Sequence, residues 1–114
     1  MTTRKAQVSW VGPGLRLVGE SQGRAIVADH TLPGEDREET GPRPVNLLLI
    51  GLCGCTGMDV VSILRKKRQP FTGLQVKATA ERVEEHPKVF TEIHLEFVVT
   101  GKDVDPQAVE RSIE

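Results

Sequence analysis

An α+β fold, with antiparallel strands grouped before and after one long helix, is what the 114-residue sequence predicts, and three observations carry that prediction. Short β-forming runs punctuated by glycine occupy the first 28 residues. A single apolar segment, Val45 to Leu64, follows an acidic and proline-rich stretch. Two alternating runs, Leu74 to Ala80 and Phe90 to Phe97, come after it. The length suits one compact domain, and the reading is a single domain over residues 1–114.

Gln7 to Val11 and Leu15 to Val18 are joined by Gly12-Pro13-Gly14, a strong turn signal, and Ala25 to Ala28 follows Gln22-Gly23. The three runs predict an antiparallel meander. From His30 to Pro44 the sequence HTLPGEDREETGPRP has no apolar periodicity with which to pack, so a mobile loop is expected. Pro44 suits the first turn of a helix, which runs to Arg65-Lys66-Lys67-Arg68. These cations complement the negative end of the helix dipole, and Pro70 stops the helix. In Phe90 to Phe97, Phe90, Leu95 and Phe97 favour one face, joined by Ile93 through a slip in the alternation, and Glu84 to Lys88 is the turn between the two long strands. Asp105 and Pro106 supply a cap and a first helical residue for a last helix with Ala108, Val109 and Ile113 as its stripe. That helix has no stop signal before Glu114, so the expectation is a chain missing its C-terminal part.

Fifteen Lys plus Arg against 16 Asp plus Glu leave no global field to attract nucleic acid or an anionic membrane. The cluster Arg65 to Arg68 lacks aromatic interleaving and reads as a solvated helix end. No apolar leader segment follows Met1, which makes the cytoplasm the expected compartment. Val45 to Leu64 approaches the roughly 20 apolar residues of a membrane span. Asn46 and Asp59 interrupt it and basic residues flank it, so a deeply buried core helix is expected and no membrane.

The chemistry concentrates in GLCGCTGMDVVSILRKKRQ, Gly51 to Gln69, which holds both cysteines of the chain. In a cytoplasmic setting they are thiols rather than a disulfide framework. Cys53 and Cys55 point about 200° apart around a helix, so a disulfide between them would need the helix to break. One Cys-x-Cys with the scattered His30, His86 and His94 lacks the spacing of a zinc site, and no metal is expected. His94, between Ile93 and Leu95, reads as a histidine on the polar face of a strand. Two inert core thiols remain the plain alternative to a reactive one. Cys55 shares its face with Gly51, Met58, Asp59 and Ser62, whereas Cys53 lies with Leu49, Ile50 and Val60, which favours Cys55 as the reactive thiol. Far from the helix N-terminus, it would need a nearby cation to stabilise the thiolate. Gly51, Gly54 and Gly57 each cost a helix about 1 kcal/mol relative to alanine, so close approach of a second helix or of a substrate is expected there.

PVNLLLIGLCGCTGMDVVSILRKKRQ, followed by VKATAERVEEHPKVFTEIHLEFVVTGKDVDPQAVERSIE, resembles the OsmC/Ohr family of hydroperoxide-detoxifying proteins, in its general OsmC-like branch. The resemblance covers essentially the whole chain. It implies an interlocked homodimer in which each long central helix is buried between sheets and the active sites lie at the interface. It also implies reduction of organic hydroperoxides by a peroxidatic cysteine, which passes through a sulfenic acid to a disulfide and is restored by a dithiol or lipoyl reductant. No bound cofactor is implied. By position the peroxidatic cysteine corresponds to Cys55. Three departures follow: a resolving cysteine would fall beyond Glu114, Val45-Asn46 replaces the glutamate that relatives carry after the helix-opening proline, and Ser21 stands near the place of the activating arginine. Arg24 is the nearest arginine and the candidate cation, with Arg43 its competitor. The leading expectation is a thiol peroxidase built on Cys55 and Arg24. The alternative is a non-enzymatic dimer of the same fold that binds an apolar small molecule at its interface.

Overall fold

The computed structural model describes residues 3–82 and 90–113, in the order β1 (Gln7–Trp10), β2 (Leu17–Ser21), β3 (Arg24–Ala28), α1 (Pro44–Lys66), β4 (Phe71–Arg82), β5 (Phe90–Gly101) and α2 (Pro106–Ile113). The expected turn over Glu84 to Lys88 lies outside the described residues. The chain divides into two compact units, Met1–Leu48 and Leu49–Glu114, with the boundary inside α1.

In the first unit β1, β2 and β3 form an antiparallel meander in that order, as their turn signals predict. Gln22 and Gly23 both take positive φ, 54° and 73°, the twist a two-residue hairpin requires, and Ser21 pairs with Arg24 across it. The second strand lies further along than Leu15 to Val18. Gly19, Glu20 and Ser21 have little β preference of their own, but Gly19 and Glu20 are paired on both sides and Ser21 pairs with Arg24, which holds them in the sheet.

The segment from His30 to Pro44 is not the free loop its composition predicts. It runs back along β3, with the Asp29 N–H donating to the Pro42 carbonyl at 3.0 Å and Gly41 so close to the Val27 backbone that no side chain fits there. A buried carboxylate, Asp29, organises this course.

In the second unit β4 and β5 form a two-stranded antiparallel sheet, and both strands are longer than the sequence pattern indicates. Val76 faces Phe97, Ala78 faces Leu95 and Ala80 faces Ile93, so Ile93 stays in phase with its neighbours. The irregularity falls instead between Glu81 and Arg82, which brings Phe90 opposite Arg82. His94 pairs with Thr79 and is exposed.

Val60 and Leu64 of α1 and Ala108 of α2 are buried here, with Phe71, Leu74, Phe97, Val99 and Val109 packed around them. In α2 the Asp105 cap accepts the Gln107 N–H at 3.0 Å. Ser112, rather than the expected Ile113, completes its buried stripe, its hydroxyl donating to the Val109 carbonyl at 2.6 Å. Helix α1 ends as the Gln69 N–H reaches the Leu64 carbonyl over Arg68 in the left-handed region, φ 54°.

The expectation of a deeply buried central helix fails for the single chain. Only Gly57, Val60 and Leu64 of α1 are buried, while Leu48, Ile50 and Met58 are 66%, 55% and 77% exposed. Two strands cover one side of a helix; among the described residues of this unit nothing covers the other.

Candidate functional site

Cys55 lies on that uncovered side. Nine residues separate it from Leu64, which sets it about half a turn away from the buried stripe. Its sulfur belongs to an exposed residue, while Cys53, close to the azimuth of Leu64, is half-buried. Among the described residues neither sulfur has a hydrogen-bond partner. Grooves of about 720 Å³, between Met58, Val61, Arg65 and Leu74, and about 300 Å³, between Asp59, Ile63, Lys66 and Phe97, run along α1, and Cys55 lines neither.

Glycine at 57 is explained inside the unit: a Cβ there would stand 3.4 Å from Val76 Cγ2. The element that approaches is therefore strand β4, not the expected second helix. At Gly51 and Gly54 a Cβ would meet open space among the described residues.

Arg24 belongs to the first unit. It lines one end of a cavity of about 650 Å³, together with Glu20 and Ser21, and Val8, Leu17, Ile26 and Leu47 form its apolar walls. Gly19 contributes no side chain there and so keeps the space open. Arg24 forms no ion pair among the described residues. Its competitor Arg43 is committed: its guanidinium donates to Glu39 at 3.0 and 3.2 Å and holds the Glu39 carboxyl below the usual range, with help from the Thr31 N–H.

Composition does not reveal the polar hub of the first unit. Asp29 is fully buried and accepts two bonds from Arg37, at 2.7 and 3.0 Å, one from Arg16 at 3.3 Å and two from Thr40 at 3.0 Å. Arg37, first, and Thr40 and Arg16 after it, hold the carboxyl far below the ordinary range, against the opposing effect of burial. Arg37 also donates to Glu35 at 2.6 Å and to the Pro13 carbonyl at 3.1 Å, and its own proton is held more tightly than usual. The Leu32 N–H, followed by Arg37, lowers Glu35 as well. The only advance signal was mixed acidic and basic residues in a segment that composition alone marks as a loop. Among the described residues no three His, Cys, Asp or Glu converge as metal ligands.

Residues 34–114 match the profile of the family described as OsmC-like protein. The chain belongs to the OsmC-like family. This OsmC-like chain is 41% identical over 111 residues to Protein YhfA of Escherichia coli K12, an alignment spanning 96% of the chain and 78% of that relative. Its fold is similar to the crystal structure of a hypothetical protein from Aquifex aeolicus, with TM-score 0.82 and 27% identity over 99% of the chain and 77% of that one. A Psychrobacter arcticus structure assigned to an osmotic stress induced and detoxification response protein matches with TM-score 0.72 and 21% identity, over 98% of the chain and 79% of that one, a likeness of fold. The mixed α+β architecture, with two antiparallel sheets and two helices, is thus an OsmC-like fold.

Proposed function

We propose that this OsmC-like protein is a cytoplasmic thiol peroxidase for organic hydroperoxides, with Cys55 as its nucleophile. The observation that carries the reading is the exposed thiol of Cys55, in the GC-T signature, on the side of α1 that the described residues of its unit leave open. A stress and detoxification role is the one named for the Psychrobacter relative in fold. In the reaction the Cys55 thiolate attacks the terminal peroxide oxygen. The S–O bond forms, the O–O bond breaks, and the alkoxide leaves and takes up a proton as alcohol. One thiol of a dithiol such as a lipoyl group then displaces water from the sulfenic acid, and its second thiol releases Cys55 as the reductant closes to a disulfide. No resolving cysteine of the chain is needed for that cycle.

The thiolate requires a cation. Arg24 is assigned that role because it is uncommitted, whereas Arg16, Arg37 and Arg43 are tied to carboxylates. A homodimer is part of the same reading, since a second copy would cover the exposed Leu48, Ile50 and Met58. A bilayer is the other apolar medium, and α1 is long and apolar enough to cross one. Against it stands the two-stranded β4–β5 sheet packed on α1: its edges leave backbone groups unpaired, which hydrocarbon does not tolerate.

Stopped-flow mixing with cumene hydroperoxide and a lipoyl dithiol tests the reading. Consumption by the wild type that Cys55→Ser abolishes is expected. Arg24→Gln should lower kcat/KM by about a hundredfold, in the range of loss of one electrostatic stabiliser, while Arg43→Gln stays within about twofold. Equal consumption by wild type and Cys55→Ser would end it. The cavity beside Arg24 supports a second reading, binding of an apolar small molecule without turnover. Saturable titration with an alkyl carboxylate, unchanged in Cys55→Ser, would be its signature.

A further inference from the structure

The larger groove of the second unit, about 720 Å³, lies between α1 and the start of β4, and Cys55 does not line it. Its walls are apolar: Met58 and Val61 of the helix stand with Phe71 and Leu74 of the strand, and Gly57 lets the helix approach β4 closely. Phe71 and Leu74 also pack on the core around Leu64, which fixes the strand side. The lining turns polar at Arg65 and Lys66, in the last turn of α1. Among the described residues neither cation forms an ion pair, and no carboxylate lines the groove. Lys66 also borders the smaller groove, where Asp59 stands without bonding to it. Lys67 and Arg68 continue the basic run outside the lining. The helix dipole accounts for cations at this end of α1, but not for an apolar recess that meets two of them. Its volume is within the range of about 300–1,000 Å³ usual for small-molecule sites.

We propose that this groove binds a single-chain anionic amphiphile, its alkyl chain along Met58, Val61, Phe71 and Leu74 and its head group on Arg65 and Lys66. Burial of the chain supplies most of the affinity, and the paired cations select the sign of the head group. A bilayer surface would meet all four cations of the run alike, whereas the groove receives one chain and sets two of them beside it. The site shares no lining residue with the cavity beside Arg24, and it stands apart from the peroxidase reading because its occupancy needs no turnover.

The test is isothermal titration calorimetry at low salt with octanoate, decanoate and dodecanoate, each kept below its micellar concentration. Binding should tighten about fourfold per added methylene until the chain outgrows the groove. Arg65→Gln and Lys66→Gln should each weaken decanoate about threefold and together about tenfold, the scale of exposed ion pairs, while binding of 1-decanol stays the same in all of them. Lys67→Gln, on the same run but outside the lining, should leave decanoate binding unchanged, as should Arg24→Gln. Absence of binding, a double variant that binds decanoate like the wild type, or an equal loss in Lys67→Gln overturns the proposal. A loss confined to Arg24→Gln also overturns it and moves the ligand to the other cavity. Sedimentation with phosphatidylglycerol vesicles but no binding of monomeric decanoate would make the basic run a membrane contact instead. Decanoate affinity that falls as protein concentration rises would make a second copy the occupant, against the proposal.

Discussion

A carboxylate leaves water at a cost unless donors and cations replace it, and Asp29 has six donors around it: two from Arg37, two from Thr40, and one each from Arg16 and the His30 N–H. The neutral acid would forfeit the charge-assisted part of those bonds. Since the folded carboxyl is held below its unfolded range, its contribution is complete above the ordinary aspartate value of about 3.9 and is lost as pH falls through the folded value. Glu35 and Glu39 are shifted the same way and add to the trend. Urea unfolding midpoints should therefore decline progressively below about pH 4. Asp29→Asn should be less stable at pH 7 and show a shallower acid slope; an unchanged slope would remove Asp29 from the account.

Helix α1 shows how one element can satisfy two different partners. Its Gly57, Val60 and Leu64 stripe is fixed by β4 and β5, where Leu64 is wholly buried against aromatic and branched side chains. Leu64→Ala should cost about 2–5 kcal/mol, as deletion of a buried leucine side chain does, measured by urea unfolding of the purified chain. A loss below about 0.5 kcal/mol, the range of surface substitutions, would mean that the stripe is not the core. Among the described residues of its unit, the opposite side of the helix has no such partner. Its apolar residues predict a buried helix because hydropathy reports the need for cover and not its source.

For the whole molecule, that need leads to a prediction about assembly. Sedimentation equilibrium should give twice the 12.5 kDa of the chain, and Ile50→Glu, a charge on the exposed stripe, should shift the mass to one chain without loss of helical signal. A wild-type chain monodisperse at 12.5 kDa would refute the dimer. Gly51 and Gly54, open in the single chain, are where a second copy could come closest, so alanine at either should favour the helix while weakening the assembly.

The sequence by itself determined the order of elements, the hairpin turns, the Asp105 cap, the family, and which cysteine stands among small and polar neighbours. These depend on residues close in sequence: glycine where φ must be positive, a cap before a proline, and apolar residues at intervals of two or of three to four. Tertiary structure alone decided the rest. The Asp29 hub depends on how the segment folds back on itself, so composition marks His30 to Pro44 as loose when its own Arg37 and Thr40, joined by Arg16, hold it to Asp29. Long range does decide Gly57, whose reason is Val76, 19 positions away. Periodicity names the side of a helix that must be covered; only packing between distant segments shows which part of that side the chain covers for itself.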